Sequence, residues 1–528
     1  MSGNQQVQRR SDSAWAATSR VLVAAGIAFI ATAVVLTWRD PPQPGAVQTS
    51  TSVATQPLTQ IATPVEPVTP PPSTDAPVAA TATPTVVPSP AEATPIGLMT
   101  FRGNATRTFY GTGPIGADAS ILWTYPGRSL CSESTVGEET KQWCGSGWTG
   151  QPSVFERDGR TWVVVGAYDR AVHFIDGDTG QAILPPFITG DIIKGSVSID
   201  PDGYPIVYSG SRDGQYRAIA FDGEEPRELW SMSAADATGP TLWNDDWDGS
   251  GLIIDGHLVV GGENSRLFVA RLDRSYDDDG RVSLSAEVIS DVAGWDDELL
   301  HDLGDHNVSI EGSVAIHEGV VYFANSGGLV QGWDLGSLTA SSRDPEQVFR
   351  WWMGDDVDAS VVVDPETGDL IVAAEWERHT ARSREVGQVV RLDPASPDQP
   401  VVWGMTDPAA QAGALVAGVW GTPAIWRDLV IVPTTSGMLF GLDALTGEVR
   451  WSLELGDHLW SSPVVVDDVL LQGTCGDGIH AFDLTVEDPP TPRWDIDLVG
   501  CVESTPAVWG GRLYVGTRSG QIVGIDLR

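Results

Sequence analysis

Internal repetition is the feature that most limits what this chain can fold into. The run GTPAIWRDLVIVPTTSGMLFGLDALTGEVRW from Gly421 is followed by SSPVVVDDVLLQGTCGDGIHAFDL from Ser461 and STPAVWGGRLYVGTRSGQIVGIDL from Ser504. Each run opens with small residues, enters an apolar strand, and turns on Asp, Gly or Arg. A second apolar strand, a glycine turn and a third strand ending near Asp follow. A tryptophan then marks a fourth segment, at Trp230, Trp351, Trp403, Trp451 and Trp494. The template also aligns at Gln151-Pro152-Ser153, Gly195-Ser196-Val197, Gly249-Ser250-Gly251, Gly312-Ser313-Val314 and Ala359-Ser360-Val361, which makes eight units.

A unit of a few short antiparallel strands cannot bury its own faces, so the units must stack on one another. The expected fold is therefore all-β, an eight-bladed β-propeller of four-stranded antiparallel blades over residues 97–528. The last unit ends at Arg528 after three strands, and SILWTYP around Trp123 offers the missing fourth. Pairing those two ends closes the ring and leaves no open sheet edge between first and last blades. The 58 glycines and 21 tryptophans suit many tight turns packed by large aromatics.

Residues ahead of the repeats divide into three parts. Val21 to Trp38 is an almost unbroken apolar run of about the minimum length that spans a bilayer core. Arg9, Arg10 and Arg20 precede it against the single acid Asp12, which places residues 1–20 in the cytoplasm and the rest outside. A cleaved signal peptide with Ala31-Thr32-Ala33 as its processing site is the competing reading. The apolar run continues through that site to Trp38, which favours an uncleaved anchor over residues 21–38. Residues 39–96 are rich in Pro, Thr and Ala and poor in charge, a composition expected to form an extended, disordered stalk.

The segment GLDALTGEVRW from Gly441, with the looser copy FIDGDTGQ from Phe174, resembles the repeat of the pyrroloquinoline-quinone-like propellers. The resemblance implies that the repeat tryptophans, such as Trp451 and Trp494, dock between neighbouring blades. Quinoprotein dehydrogenases and noncatalytic scaffolds such as outer-membrane-assembly lipoproteins share this repeat, so function must be argued from the site.

Turns between first and second strands are short throughout: Asp158-Gly159, Asp255-Gly256, Glu318-Gly319 and Gly510-Gly511. Four connections that lead to the next blade are long: Pro126 to Gly147, Ser231 to Trp247, about Ser290 to Ile310, and Gly404 to Val419. Antiparallel connectivity puts all four on the opposite face, which marks that face as the functional one. Three positions ahead of the aligned Pro, Val or Gly, the template places one residue per blade at the mouth of the central channel. These are Thr149, Lys194, Asp248, Glu311, Asp358, Trp420, Trp460 and Glu503, a candidate ligand-binding ring of four carboxylates, one lysine and two tryptophans. Crowded like charges raise one another's pKa values or recruit a cation, and carboxylate oxygens suit calcium. The tryptophans offer a surface for a planar ring or a sugar.

Other motifs carry less. NDDWDG from Asn244 superficially resembles a calcium loop, but the template puts Leu252 to Ile254 in a strand and carries Asp255 to the far face. Only a partial site around Asp246 and Asp248 survives. Cys131 with Cys144, and Cys475 with Cys501, are the simplest of three disulfide pairings. His301 and His306 lie in an acidic insertion and read as surface residues. The formal charge of −40, from 71 acids against 31 bases that include only Lys141 and Lys194 as lysines, argues against nucleic acid and anionic membrane surfaces as partners.

The reading that follows is a membrane-tethered, extracytoplasmic scaffold that binds an envelope protein or glycan without catalysis and needs no cofactor. The alternative is an oxidoreductase dependent on pyrroloquinoline quinone and calcium. The dehydrogenases of that kind carry adjacent cysteines beside the cofactor, and this chain has no Cys-Cys pair.

Overall fold

Eight antiparallel blades, each with a core of four strands, make up the computed structural model, which describes residues 97–136, 139–147, 150–336, 345–485 and 488–528. The cytoplasmic, anchor and stalk readings for residues 1–96, and the ring position Thr149, lie outside the described residues. No helix among the described residues is long and apolar enough to cross a membrane. Blades 1 to 7 run from Ser153 to Ile188, Ser198 to Ser233, Leu252 to Ala293, Ala315 to Trp352, Val362 to Met405, Ala424 to Glu454, and Val464 to Asp497. Blade 8 takes three strands from Ala507 to Asp526 and its fourth from Ser120–Tyr125, with Trp123 opposite Gly524. The ring closes as the sequence predicts.

Burial follows from stacking. Middle strands such as Ile206–Gly210 and Val469–Gly473 are buried at every residue because a neighbouring blade covers each face. Outer strands alternate, as in Ser120–Tyr125, where Trp123 alone is buried. These tryptophans join blades: Trp123 of blade 8 donates its indole N–H to Gly177 O of blade 1 at 3.0 Å, and Trp403 of blade 5 donates to Ala444 O of blade 6 at 2.9 Å. The partner strand must be bare beneath the ring. A Cβ at Gly441 would lie 2.1 Å from the Trp451 indole. Turns between third and fourth strands are pinned by aspartate: Asp443 Oδ1 accepts from the backbone N–H groups of Leu445 and Thr446, and Asp176 Oδ1 does the same for Asp178 and Thr179.

The short first-to-second turns define a lower face. Asp158-Gly159, Asp255-Gly256, Glu318-Gly319 and Gly510-Gly511 all have positive φ at both residues, the geometry of tight hairpin turns. Leu252–Ile254 is a strand, so Asp255 lies in one of these lower turns and the full calcium loop does not form. The predicted insertions lie on the upper face and carry a 3-10 turn at Ala234–Asp236 and helices α1 (Asp297–Leu303) and α3 (Pro408–Gln411). A further upper insertion, between strands Leu370–Ala373 and Val389–Leu392, carries α2 (Ala381–Val386) and is missing from the sequence reading. That reading also needs correction in its one-sidedness. The hairpin Arg266–Tyr276 with Val282–Ala293 extends on the lower face and packs on blade 2, where Arg274 meets Asp200 at 2.8 Å.

Residues 97–116, expected simply to begin the propeller, fill its axis instead. Gly97–Leu98 adds a fifth strand inside blade 1, with Leu98 opposite Val154. The segment then accepts N–H bonds from Ile199 to Met99 O, Ile316 to Ala105 O and Val363 to Thr106 O. Tyr110 Oη accepts from Ile425 N at 2.8 Å, and Gly111 bridges Val508. Arg102 is fully buried and donates to the carbonyls of Pro423, Thr422 and Pro463 at 2.6 to 2.7 Å. Arg107, also fully buried, donates to Val314 O and Ser250 O. These contacts reach the inner edge of every blade. Burial lowers both guanidiniums, Arg102 to about 10 and Arg107 to about 9, and each remains charged at neutral pH. Thr112 Oγ1 accepts from Gly510 N in a lower turn, so the plug seals the channel from below.

Candidate functional site

The upper mouth of the channel rests on a belt of hydroxyls. Backbone N–H groups at Ser250, Ser313, Ser360 and Thr422 donate to the side chains of Ser313, Ser360, Thr422 and Ser462 in the following blades. Gln151 N likewise donates to Ser196 Oγ at 2.7 Å. This belt is why the repeat opens with small hydroxyl residues. It fixes the backbone at the same height in the blades it joins and lifts the residue two positions earlier into the mouth.

Those earlier residues are the ring read from the sequence. Lys194 Nζ lies 2.8 Å from Glu263 Oε1, 3.3 Å from Asp246 Oδ2 and in contact with Asp248. Asp358 accepts the Trp420 indole N–H at 2.6 Å, and Trp420 meets Trp460 edge to face at 4.6 Å. Glu503 pairs with Arg518 at 3.2 Å. Glu311 accepts the hydroxyls of Ser309 and Ser326. Within the ring, Lys194 thus touches Asp248, and Asp358, Trp420 and Trp460 form a second group, while Thr149 lies outside the described residues.

The disulfide-closed hairpin Cys131–Val136 with Glu139–Cys144 lies over one side of this mouth. Its Trp143 meets Tyr168 edge to face and takes the guanidiniums of Arg212 and Arg518 at 5.2 and 5.1 Å. Arg212 also reaches Asp246 Oδ2 at 2.6 Å. The second disulfide is Cys475–Cys501, so both predicted pairs are present. His301 and His306 are exposed, as expected.

Two acidic residues of the mouth escape the sequence reading, Glu263 and Glu375, each two residues past a second strand. A signal for them exists. DDWDGS from Asp245 recurs as DDVDAS from Asp355, and GGE ending at Glu263 recurs as AAE ending at Glu375. The two sets share one backbone bond: Glu263 N donates to Asp246 O at 3.0 Å, and Glu375 N donates to Asp356 O at 2.8 Å.

Electrostatics separate the two sets. Burial works to lower Lys194, but Asp248, Glu263 and Asp246 outweigh it and hold the ammonium well above its ordinary range. Burial and Glu263 push Asp248 up, whereas at Glu263 burial, which raises it, is outweighed by Lys194 together with hydrogen bonds from Asp248 and Lys194, and the carboxyl is lowered. In the second set, burial and neighbouring acids push Asp356, Asp358 and Glu375 well above the carboxylate range. Burial, with Glu263, raises Glu311 to about 7.

Asp246, Asp248 and Glu263 bring their oxygens within 4.8 Å of one another, close enough to hold a metal ion. Lys194 already supplies the cation there, so this trio does not fit a resident calcium. The four cysteines form two non-adjacent disulfides, which also departs from the pattern of the quinone-dependent dehydrogenases.

No family model matches the chain. Over 102 residues it is 28% identical to the outer membrane protein assembly factor BamB of Shewanella oneidensis, covering 18% of this chain and 25% of that protein. The chain thus spans about a quarter of that relative's length. Among solved structures, BamB from Moraxella catarrhalis matches 75% of this chain and 99% of its own with a TM-score of 0.50 at 14% identity. The quinohemoprotein alcohol dehydrogenase of Pseudomonas putida HK5 matches 82% of this chain and 80% of its own with a TM-score of 0.57 at 12% identity. These likenesses support the propeller fold.

Proposed function

We propose that this chain is a noncatalytic assembly scaffold, held outside the cytoplasm by an N-terminal anchor, that docks an envelope protein on its upper face. One observation carries the reading. The lower end of the axis is sealed by residues 97–116, while the upper face gathers the inter-blade insertions, α1 to α3 and both disulfides around one polar mouth. Upper connections also expose large apolar side chains, Trp243 at 50%, Leu415 at 81% and Val499 at 76%. Exposed apolar groups around a charged centre are the composition of a docking surface. The named role of the BamB proteins in outer-membrane assembly agrees with this reading. The chain's acidity points to a partner with a basic contact surface, drawn in by complementary charge.

The test is photocrosslinking in the native cell, with a photoreactive residue at positions 243, 415 and 499, and at Tyr276 and Leu445 on the lower face. The proposal expects one protein adduct of constant size from the first three positions and none from the other two. Equal labelling from both faces, or labelling from the lower face alone, overturns it.

A further inference from the structure

The mouth contains one acid set twice, and only one copy has its cation. Asp246, Asp248 and Glu263 of blade 3 correspond in repeat position to Asp356, Asp358 and Glu375 of blade 5. In the first copy the ring residue of the preceding blade is Lys194, whose ammonium sits among the three carboxylates. In the second copy that ring residue is Glu311. Where the repeat has an ammonium, it thus has a fourth carboxylate.

A second observation concerns Asp356, which among the described residues has no ion pair of the kind that Lys194 makes with Asp248. Asp356 is 5% exposed and its Oδ1 has no hydrogen-bond partner, although Asp358, Glu377 and Glu311 crowd it electrostatically. Arg378 is the basic neighbour on that side, and its guanidinium is engaged with Asp305 at 2.8 Å and with the carbonyls of Asn307 and Ser326. Beside Asp358 stand Trp420 and Trp460, both partly exposed. Carboxylates beside indole rings suit an organic ammonium, which gains hydrogen bonds on one side and a cation–π contact on the other.

We infer that Glu311, Asp356, Asp358 and Glu375 form a receptor for a primary ammonium, filled by a lysine side chain of the docked partner as Lys194 fills the companion set. A lysine suits the site because its thin aliphatic stem can follow the tryptophans inward while its head reaches the buried oxygens. This inference rests on the docking reading and names the chemistry by which the partner is held. The chain has only two lysines of its own, so few internal groups compete for the place.

The test uses the full-length chain at about pH 8 and about 0.15 M salt, titrated by calorimetry with Nα-acetyl-lysine amide, spermidine, tetramethylammonium chloride and calcium chloride. The inference expects saturable binding of the lysine derivative with half-saturation on the order of millimolar, as befits one ion-paired side chain. It expects tetramethylammonium, which has no N–H donors, to bind at least about tenfold more weakly. Glu311→Gln should weaken the lysine derivative by at least about tenfold. Glu311→Lys, which rebuilds the first set in the second, should abolish its binding and raise Tm without any ligand. No saturable binding of the lysine derivative, unchanged binding to Glu311→Lys, or binding of spermidine alone overturns the inference. Calcium binding that equals the amine response and disappears in Glu311→Lys overturns it in favour of a metal site. If amines fail while positions 243, 415 and 499 still crosslink one protein, the docking reading stands and the ammonium receptor falls.

Discussion

Replacing Lys194 with methionine keeps the bulk of the side chain and removes its charge. In the native basin the ammonium serves three carboxylates: Asp246, Asp248 and Glu263. Asp246 retains Arg212 at 2.6 Å, so the variant strands Asp248 and Glu263 in a buried setting. Removing one member of a buried ion pair costs about 3 to 5 kcal/mol, because the remaining charge is left desolvated and uncompensated. The variant should lose that much in urea denaturation near pH 8. The sign of the pH dependence is fixed. Without Lys194, Asp248 rises further above its unfolded value and Glu263 loses the cation that holds it low, so burial raises it as well and the folded variant binds more protons than the unfolded chain. Its stability must then increase as pH falls, and the deficit should shrink to less than about half near pH 5. The native ammonium, raised by its partners, stays fully charged across that window and adds no slope of its own. Neutralising the stranded acids in Lys194→Met/Asp248→Asn/Glu263→Gln should return stability to within about 1 kcal/mol of the native chain. A loss below about 1 kcal/mol near pH 8, or an equal loss at both pH values, would refute the assignment of Lys194 as the internal cation of the basin.

Glu311, raised by burial to about 7, should make the native chain lose stability as pH rises from its unfolded value near 4.5 to about 7. The folded state binds the extra proton in that window, and Glu311→Gln should remove roughly 3 kcal/mol of the change in denaturation series across it. Arg102→Met leaves the carbonyls of Thr422, Pro423 and Pro463 without their buried donor. It should cost at least about 3 kcal/mol and expose residues 97–116 to proteolysis that the native chain resists. Changing Cys475 and Cys501 together to serine opens a loop with a sequence separation of 26, and chain entropy predicts a loss of about 3 kcal/mol. Thermal denaturation with and without reductant checks it, since reductant should affect the variant less than the native chain.

The repeated parts of this molecule were legible, and the unique parts were not. Trp123 could be matched to the open end at Arg528 because a missing strand leaves a gap in a periodic pattern. Ring positions from Asp248 to Trp460 could be read because a hydroxyl belt sets the backbone height from blade 3 to blade 7. Arg102 and Arg107 gave no such sign. An arginine in a segment without periodicity looks like a surface residue, and its burial depends on carbonyls contributed by distant blades. Glu263 and Glu375 were hidden for another reason. They lie at the ends of second strands, whereas the template was read only at the starts of first strands, although their shared surroundings are visible once the two acidic repeats are aligned. The insertion carrying α2 leaves no mark in the spacing of the inter-blade connections, because it lies in a second-to-third turn that opens on the same face.

Hydrogen–deuterium exchange of the full-length chain, alone and bound to the protein captured through position 415, tests most directly whether the molecule works through one face. The account predicts slowed exchange in the upper connections 234–251, 294–310, 374–388 and 406–419, and unchanged exchange in the lower turns at 158–159, 255–256 and 318–319. Protection of the lower turns, or of outer strands with no change in the upper connections, would contradict it.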